Sequence, residues 1–130
     1  MSNLDQTFSN RLLDSSVGTA FTAPTTPITC RLMTANGTNT ANGTELATSG
    51  GYTSGTGAPQ VTFAAASGGS KASNVAVTVT NMPATTIVGV ELWDSSGSPV
   101  RLWWGALTAS KTTNAGDTFT IASGSLTLAM

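Results

Sequence analysis

The fold class is decided by the stretch Thr86-Ile-Val-Gly-Val-Glu-Leu-Trp-Asp94, a Ser95-Ser-Gly-Ser-Pro99 turn, and Val100-Arg-Leu-Trp-Trp-Gly-Ala-Leu107. Apolar residues occupy every second position of both arms, a period that predicts half-buried β-strands. The inward faces predicted from it are Val88, Val90 and Leu92 on the first arm, and Val100, Leu102, Trp104 and Ala106 on the second. Because all three tryptophans lie here, we expect this hairpin to carry the centre of the core.

Similar alternation recurs along the chain. The run Ser73-Asn-Val-Ala-Val-Thr-Val-Thr80 places Val75, Val77 and Val79 on one predicted face. Seven or eight short strands at roughly 8- to 12-residue spacing are typical of an antiparallel β-sandwich or barrel. The sequence therefore predicts a mainly β fold with one N-terminal helix, in a single domain of residues 1–130 whose β part covers 28–130. The other predicted strands are 28–34, 59–66, 118–121 and 126–128.

The segment 2–16 has the periodicity of an amphipathic helix. Leu4, Phe8 and Leu12 recur at every fourth position, and Asn3 is the predicted N-cap. An amphipathic helix must cover its apolar stripe. The stripe packs either on the chain's own sheet or on a neighbouring subunit, and the sequence leaves both arrangements open.

Residues 35–57 are predicted to form a long loop. The tetrapeptide Ala-Asn-Gly-Thr occurs twice, at 35–38 and 41–44, and Asn-Gly is a strong turn signal. Long loops in small domains are commonly functional, so we expect this one to contact a neighbouring molecule. Tyr52, its one aromatic residue, is predicted to attach the loop to the core.

The composition is unusually poor in charge. Only 8% of the 130 residues are charged, against about 25% in ordinary globular domains. A nearly uncharged, hydroxyl-rich exterior favours assembly into a larger object, and the alternative is an extracellular β domain. The five basic residues are scattered, so nucleic acid is not an expected partner. No apolar run predicts a membrane span or a signal peptide, and Cys30, the single cysteine, is predicted to be a buried free thiol.

No motif in the sequence predicts catalysis, a metal site or a cofactor. The chain has no histidine, which is the commonest general base and metal ligand. Its carboxylates are isolated except for Glu91 and Asp94, which would have to converge across a cleft to serve as a glycosidase pair. We therefore expect a protein that is not an enzyme.

Trp103 and Trp104 have two interpretations. Adjacent strand residues point to opposite faces, so the fold covers either both rings or only one. If one ring is outward, the spacing assigns that role to Trp103 beside Arg101, and Trp and Arg are typical interface anchors.

The sequence contains several short motifs, among them Leu12-Leu-Asp14, Gly18-Thr-Ala-Phe-Thr-Ala-Pro24, Gly50-Gly-Tyr52, Val61-Thr-Phe63, Trp104-Gly-Ala-Leu-Thr108 and Asn114-Ala-Gly-Asp117. With these motifs the chain resembles a family of small virion proteins of tailed bacteriophages, described as tail fibre proteins or as head decoration or minor capsid proteins. The resemblance covers nearly the whole length, and it implies a structural virion protein without an active site. Two places depart from the family pattern, Thr53-Ser-Gly-Thr56 and Cys30-Arg31, so the partner surface is expected to differ.

The resemblance and the composition together lead to two hypotheses. The first is a decoration or minor capsid protein, made in the host cytoplasm, that binds the major capsid protein on the outside of the head as a homo-oligomer, with a trimer favoured. The second is a tail-fibre or receptor-binding component that recognises host glycans, with Trp103 and Asn114 as its candidate groove. The residues predicted to contact the shell or a neighbouring subunit are Leu4, Phe8, Arg11, Leu12, Tyr52, Arg101 and Trp103.

Overall fold

The computed structural model describes residues 3–129, which contain ten strands and one α-helix. The predicted mainly β, antiparallel architecture with an N-terminal helix is confirmed, and within these residues the sheets do not close into a barrel. In chain order the elements are β1 (Asn3–Leu4), α1 (Gln6–Ser16), β2 (Ile28–Ala35), β3 (Thr44–Glu45), a 3-10 turn (Gly55–Gly57), β4 (Gln60–Val61), β5 (Ser70–Ala72), β6 (Val77–Met82), β7 (Thr85–Trp93), β8 (Arg101–Thr113), β9 (Asp117–Ile121) and β10 (Thr127–Ala129).

One six-stranded sheet organises the molecule. Its order is β1-β8-β7-β2-β3, and β4 also pairs with β2. Two smaller antiparallel pairs, β6 with β9 and β5 with β10, complete the described part of the fold. The β7–β8 hairpin predicted from the sequence lies at the centre of the large sheet, where β7 separates β8 from β2.

The predicted inner face of β7 is wrong by one residue at its start. The ladder with β8 shifts register here, because Ile87 pairs with Lys111 and Gly89 with Ala106, which leaves three more residues on β8 than on β7 between these pairs. Ile87 is therefore fully buried with Val90 and Leu92, whereas Val88 is only half-buried. Strict alternation therefore fails across this irregular stretch of the ladder, and Ile87 takes the core position predicted for Val88.

A second register shift reverses the prediction for β8. Leu92 pairs with Trp103 but Trp93 pairs with Arg101, so Leu102 is an extra residue in the ladder. Trp103, opposite the core residue Leu92, therefore packs against the core. The prediction that Trp104 and Ala106 point inward is wrong, whereas Leu102 is buried as predicted. Trp104 lies half-buried on the other face, where its Nε1 donates to Asn39 Oδ1 at 3.0 Å.

The apolar core lies between the large sheet and the β6–β9 pair. Its central side chains come from β2, β7, β6 and β9, together with residues of the 46–61 region and Leu126. The prediction that Val75 belongs to this core is wrong, because β6 begins only at Val77 and Val75 is 40% exposed. The strand predicted at 59–66 is also shorter, since β4 ends at Val61. Core members include Cys30, Leu32, Tyr52, Val77, Val79, Ile87, Val90, Leu92 and Phe119.

The opposite face of the large sheet carries a buried ionic cluster centred on Arg101, which is 2% exposed. Its Nε donates to Asp5 Oδ2 at 3.0 Å, and its Nη1 donates to Glu91 Oε2 at 3.0 Å and to the carbonyl of Ala41 at 2.9 Å. Its Nη2 contacts Asp5 Oδ2 at 2.9 Å and donates to the carbonyl of Thr38. The five N–H groups of the guanidinium thus have five acceptor contacts, so this buried charge is fully compensated.

The Arg101 cluster attaches the segment 36–43 to the sheet. Gly43 N donates to Glu91 Oε2 at 2.7 Å, on the same carboxylate that Arg101 binds. Gly89 lies beneath this segment, and a Cβ there would collide with the Asn36 side chain. The long predicted loop is therefore closely packed along this part of its length.

The helix starts later than predicted. Asn3 and Leu4 pair with Trp104 and Trp103 as β1, so Asn3 is not the N-cap, and Ser2 lies outside the described residues. Asp5 caps α1 instead, its Oδ1 accepting from Thr7 N at 2.8 Å. The strand pairing is a tertiary interaction. It overrides the local four-residue apolar period, which by itself predicts a helix in this segment.

Replacing Arg101 with Met is expected to destabilise the fold by about 3–5 kcal/mol, because Asp5 and Glu91 would remain buried without their cation. Urea unfolding followed by tryptophan fluorescence measures this change. Lys111→Met, at an exposed position, is the matched control and should shift the free energy of unfolding by no more than about 0.5 kcal/mol. Equal effects of the two substitutions would contradict the stabilising role of the cluster.

Cys30 is expected to be unreactive in the folded protein. Burial in the core raises the pKa of its thiol to about 12, and the reactive species is the thiolate. A disulfide reagent such as DTNB should label Cys30 only after denaturation. Val75→Cys, at a position that is 40% exposed, provides the control thiol and should react in the native state. Rapid native labelling of the wild-type protein would show that Cys30 is accessible.

Candidate interface around the N-terminal helix

The end of α1 and the segment after it expose large apolar side chains. Leu13 is 66% exposed, Val17 is 84% exposed and Phe21 is 41% exposed. Leu13 lies in the last turn of α1, and Val17 follows four residues later as the C-cap. A neighbouring set of exposed apolar side chains is a typical docking site.

An apolar groove of about 640 Å³ lies beside this ridge. Its wall is formed by Phe8, Leu12 and Phe21, and Trp103 and Leu128 line it from the β-structure. The rings of Phe8 and Phe21 are 6.3 Å apart between centroids and tilted by 47°. This aromatic contact connects α1 to the extended segment that follows it.

A smaller hollow of about 240 Å³ lies on another side of the same helix. It is lined by Leu4, Ser9, Leu12, Leu13 and Ser16, with no charged residue among them. Because Leu12 lines both hollows, they flank one helix and form a single apolar region.

We define the helix-side surface as the ridge and both hollows together. Lys71 is the only charged residue that lines either hollow. Arg11 lies half-buried on α1 and has no side-chain hydrogen bond or ion pair within residues 3–129. Contact through this surface would therefore remove apolar area from water at little cost in charge desolvation. Its members are Leu4, Phe8, Ser9, Leu12, Leu13, Ser16, Val17, Phe21, Pro24, Ala66, Gly69, Ser70, Lys71, Trp103, Leu128 and Ala129.

Four of the seven residues predicted to form an interface meet at this surface: Leu4, Phe8, Leu12 and Trp103. Trp103 faces the core side rather than outward, and it lines the groove because α1 leaves it partly uncovered. Sequence reasoning missed Leu13, Val17 and Phe21. The four-residue spacing of Leu13 and Val17 was a usable signal for two of them.

Tyr52 and Arg101 are buried inside the fold, away from the helix-side surface. Tyr52 is 1% exposed; its hydroxyl donates to Glu45 Oε2 at 2.6 Å and accepts from Leu32 N at 3.1 Å. Burial, together with the hydrogen bond to Glu45, raises the pKa of Tyr52. The predicted attachment of the 35–57 segment to the core by Tyr52 is visible in these contacts, and Arg101 is enclosed by its own cluster.

The two carboxylates considered for catalysis have structural contacts. Glu91 binds Arg101 and accepts from Trp93 Nε1 at 3.1 Å. Asp94 Oδ1 accepts from Val100 N at 2.8 Å, which closes the β7–β8 turn. Burial acts to raise the pKa of Asp94, but its hydrogen bonds with Val100, Thr25 and Ser96 outweigh that effect and lower it.

Within residues 3–129, no three carboxylate or thiol side chains are close enough together to hold a metal ion. In the same range, no helix is long and apolar enough to cross a membrane.

A sequence model of a phage protein family, described as podophage GP4 fiber I protein gp80, matches residues 3–129. The chain belongs to this family. It is therefore a structural virion protein of tailed bacteriophages, as the motif resemblance implied. Among curated proteins, none matches the chain at a significant level. The family match spans the helix-side surface and the whole described fold, so both are part of the fibre-family domain.

The exposed and buried sides of α1 are expected to respond differently to substitution. Leu13→Gln with Val17→Gln should change the free energy of unfolding by less than about 1 kcal/mol, because both side chains already contact water. Phe8→Ala should cost about 3 kcal/mol, because Phe8 is only 7% exposed. Chemical denaturation measures both. A large loss of stability in the double variant would show that the ridge supports the fold rather than a contact with another molecule.

Proposed function

We propose that this protein is a non-enzymatic structural subunit of a podophage tail fibre, attached to its neighbour in the virion through the helix-side surface. The observation that carries the proposal is the exposed Leu13–Val17 ridge beside an apolar groove of about 640 Å³. It occurs in a chain that the fibre family covers over residues 3–129. A permanent contact would remove this apolar area from water.

The tail is favoured over the head by the family description, which names a fibre protein. The decoration hypothesis, with the major capsid protein as partner, was based on low charge and on resemblance. Low charge suits any densely assembled part of a virion, so it does not distinguish the head from the tail. The fibre assignment therefore replaces head decoration as the first hypothesis.

Attachment is favoured over glycan recognition by the environments of the two candidate residues. Trp103 packs against the core and lines an apolar groove. Asn114 lies in the turn before β9, where its backbone N donates to Asp117 Oδ2 at 2.8 Å. A sugar-binding groove combines an exposed aromatic face with polar hydrogen-bonding groups. The groove beside α1 has the aromatic residues but is lined mainly by apolar side chains.

The test uses a phage that lacks this gene and is supplied with variants from a plasmid. Leu13→Glu with Val17→Glu is expected to reduce incorporation into purified particles by at least tenfold, since two buried carboxylates oppose docking. Quantitative mass spectrometry relative to the major capsid protein measures it. Thr78→Glu with Thr80→Glu, at two exposed positions of β6, adds the same charge elsewhere and should incorporate normally.

Two results would contradict the proposal. Normal incorporation of the Leu13→Glu, Val17→Glu variant would exclude the helix-side surface as the attachment site. A wild-type copy number comparable to that of the major capsid protein would place the protein on the head. A density map of the intact particle locates the subunit directly.

A further inference from the structure

The side of the molecule formed by β8 and β9 has two strand edges without a neighbouring strand in the described residues. β1 pairs with β8 only at Trp103 and Trp104, so the edge from Gly105 onward is open. β9 pairs with β6 alone, so its other edge is open as well. Open edges present backbone donors and acceptors that a further strand can satisfy.

A groove of about 450 Å³ lies between these two edges. Consecutive residues of β9 and its continuation, 119–122, form one wall, and Leu107, Thr108, Ala109 and Lys111 of β8 form the other. Leu107, Ile121 and Leu126 make it apolar. Leu107 and Ile121 are only partly buried, so one side of the core is open here.

The part of the β9 edge from Thr118 to Ile121 carries none of the usual devices that prevent pairing. Edge strands are commonly protected by lysine, proline or a bulge. The sequence Thr118-Phe-Thr-Ile121 has neither proline nor charge, and the register shift opposite Thr118 has its extra residue on β6, between Val79 and Met82, rather than on β9. The edge is therefore competent to accept a strand.

We propose that β9 pairs with β9 of a second copy of this chain, antiparallel about a two-fold axis at Phe119. The Thr-Phe-Thr sequence around Phe119 reads the same in both directions. In this register Thr118 of one copy opposes Thr120 of the other, a favourable cross-strand pair. In this dimer the two β6–β9 pairs form one four-stranded sheet. The proposal does not depend on the assignment of the protein to a tail fibre.

The charges near this edge are complementary in that register. Asp117 is the only charged residue of β9, and the two-fold places it opposite Ile121 of the second copy. Lys111 is the only charged residue that lines the groove, and Ile121 lines the same groove. Asp117 of one copy therefore approaches Lys111 of the other, and no like charges meet.

The groove also supplies contact area that the strands alone lack. β9 has five residues, and pairing of one short strand buries less than the roughly 1,200–2,000 Å² of a stable interface. Joining the sheets brings the two grooves together, so that Leu107 and Ile121 of both copies are covered. The expected product is a two-fold dimer.

The test compares charge pairs at the two exposed threonines. In the variant with Thr118→Lys and Thr120→Lys, each lysine lies opposite a lysine of the other copy, at two places in the dimer. In the variant with Thr118→Lys and Thr120→Glu, each lysine lies opposite a glutamate of the other copy. Sedimentation equilibrium should show a wild-type dimer, a dissociation constant at least tenfold higher for the first variant, and a dimer retained by the second. Circular dichroism and urea midpoints verify that both variants are folded.

A mixing experiment tests the register even if one variant is unstable alone. The Lys–Lys variant mixed with a Thr118→Glu, Thr120→Glu variant should form a heterodimer, because each lysine then opposes a glutamate. A wild-type monomer at 200 µM, on the order of the weak limit of specific association, would overturn the proposal. Equal association of the Lys–Lys and Lys–Glu variants would also overturn it. So would loss of the dimer only in the Leu13→Glu, Val17→Glu variant, since that result assigns the contact to the helix-side surface.

Discussion

The fold depends on the compensated charge of Arg101. Its guanidinium connects Asp5 before the helix, Glu91 in β7 and the backbone of Thr38 and Ala41. An unpaired ion in this position would cost several kcal/mol, so the three segments must be in place together. The cluster therefore positions the start of α1 against β8, and through α1 it determines where the helix-side surface lies.

The burial of charged side chains also explains why the exterior of the protein carries few charges. The chain has five basic residues, and two of them, Arg31 and Arg101, are buried. Arg31 lies 4.3 Å from the centroid of the Trp93 ring and 3.9 Å from the Glu45 carboxylate. Few charges remain outside, and the surface is mostly hydroxyl and apolar. Such a surface associates through burial of apolar area more readily than through ion pairs, which suits a structural virion protein.

Much of the fold could be predicted because its signals are local. Alternation identified β7 and β8, and the four-residue spacing of Phe8 and Leu12 identified the helix. The faces of the hairpin could not be predicted in the same way. The first register shift leaves three extra residues on β8 and the second leaves one, and the sequence does not mark where the ladder shifts. For that reason Ile87 replaced Val88 in the core, and Trp103 replaced Trp104. Part of the candidate interface could be predicted, because Leu4, Phe8 and Leu12 follow the helix period. Phe21 could not be predicted, because only the three-dimensional path of the chain places it at this surface.

The sequence by itself determined the β class, the N-terminal helix, the turn chemistry and the low charge, because each depends on nearest neighbours or on composition. Only the tertiary structure decided that Asn3 and Leu4 form a strand, that Arg101 is enclosed, and that no strand of residues 3–129 covers the β9 edge or the β8 edge from Gly105 onward. These features arise from pairings and contacts between segments distant in sequence, up to 96 residues apart for Asp5 and Arg101. No local pattern encodes such a contact, since its energy exists only when both segments are folded.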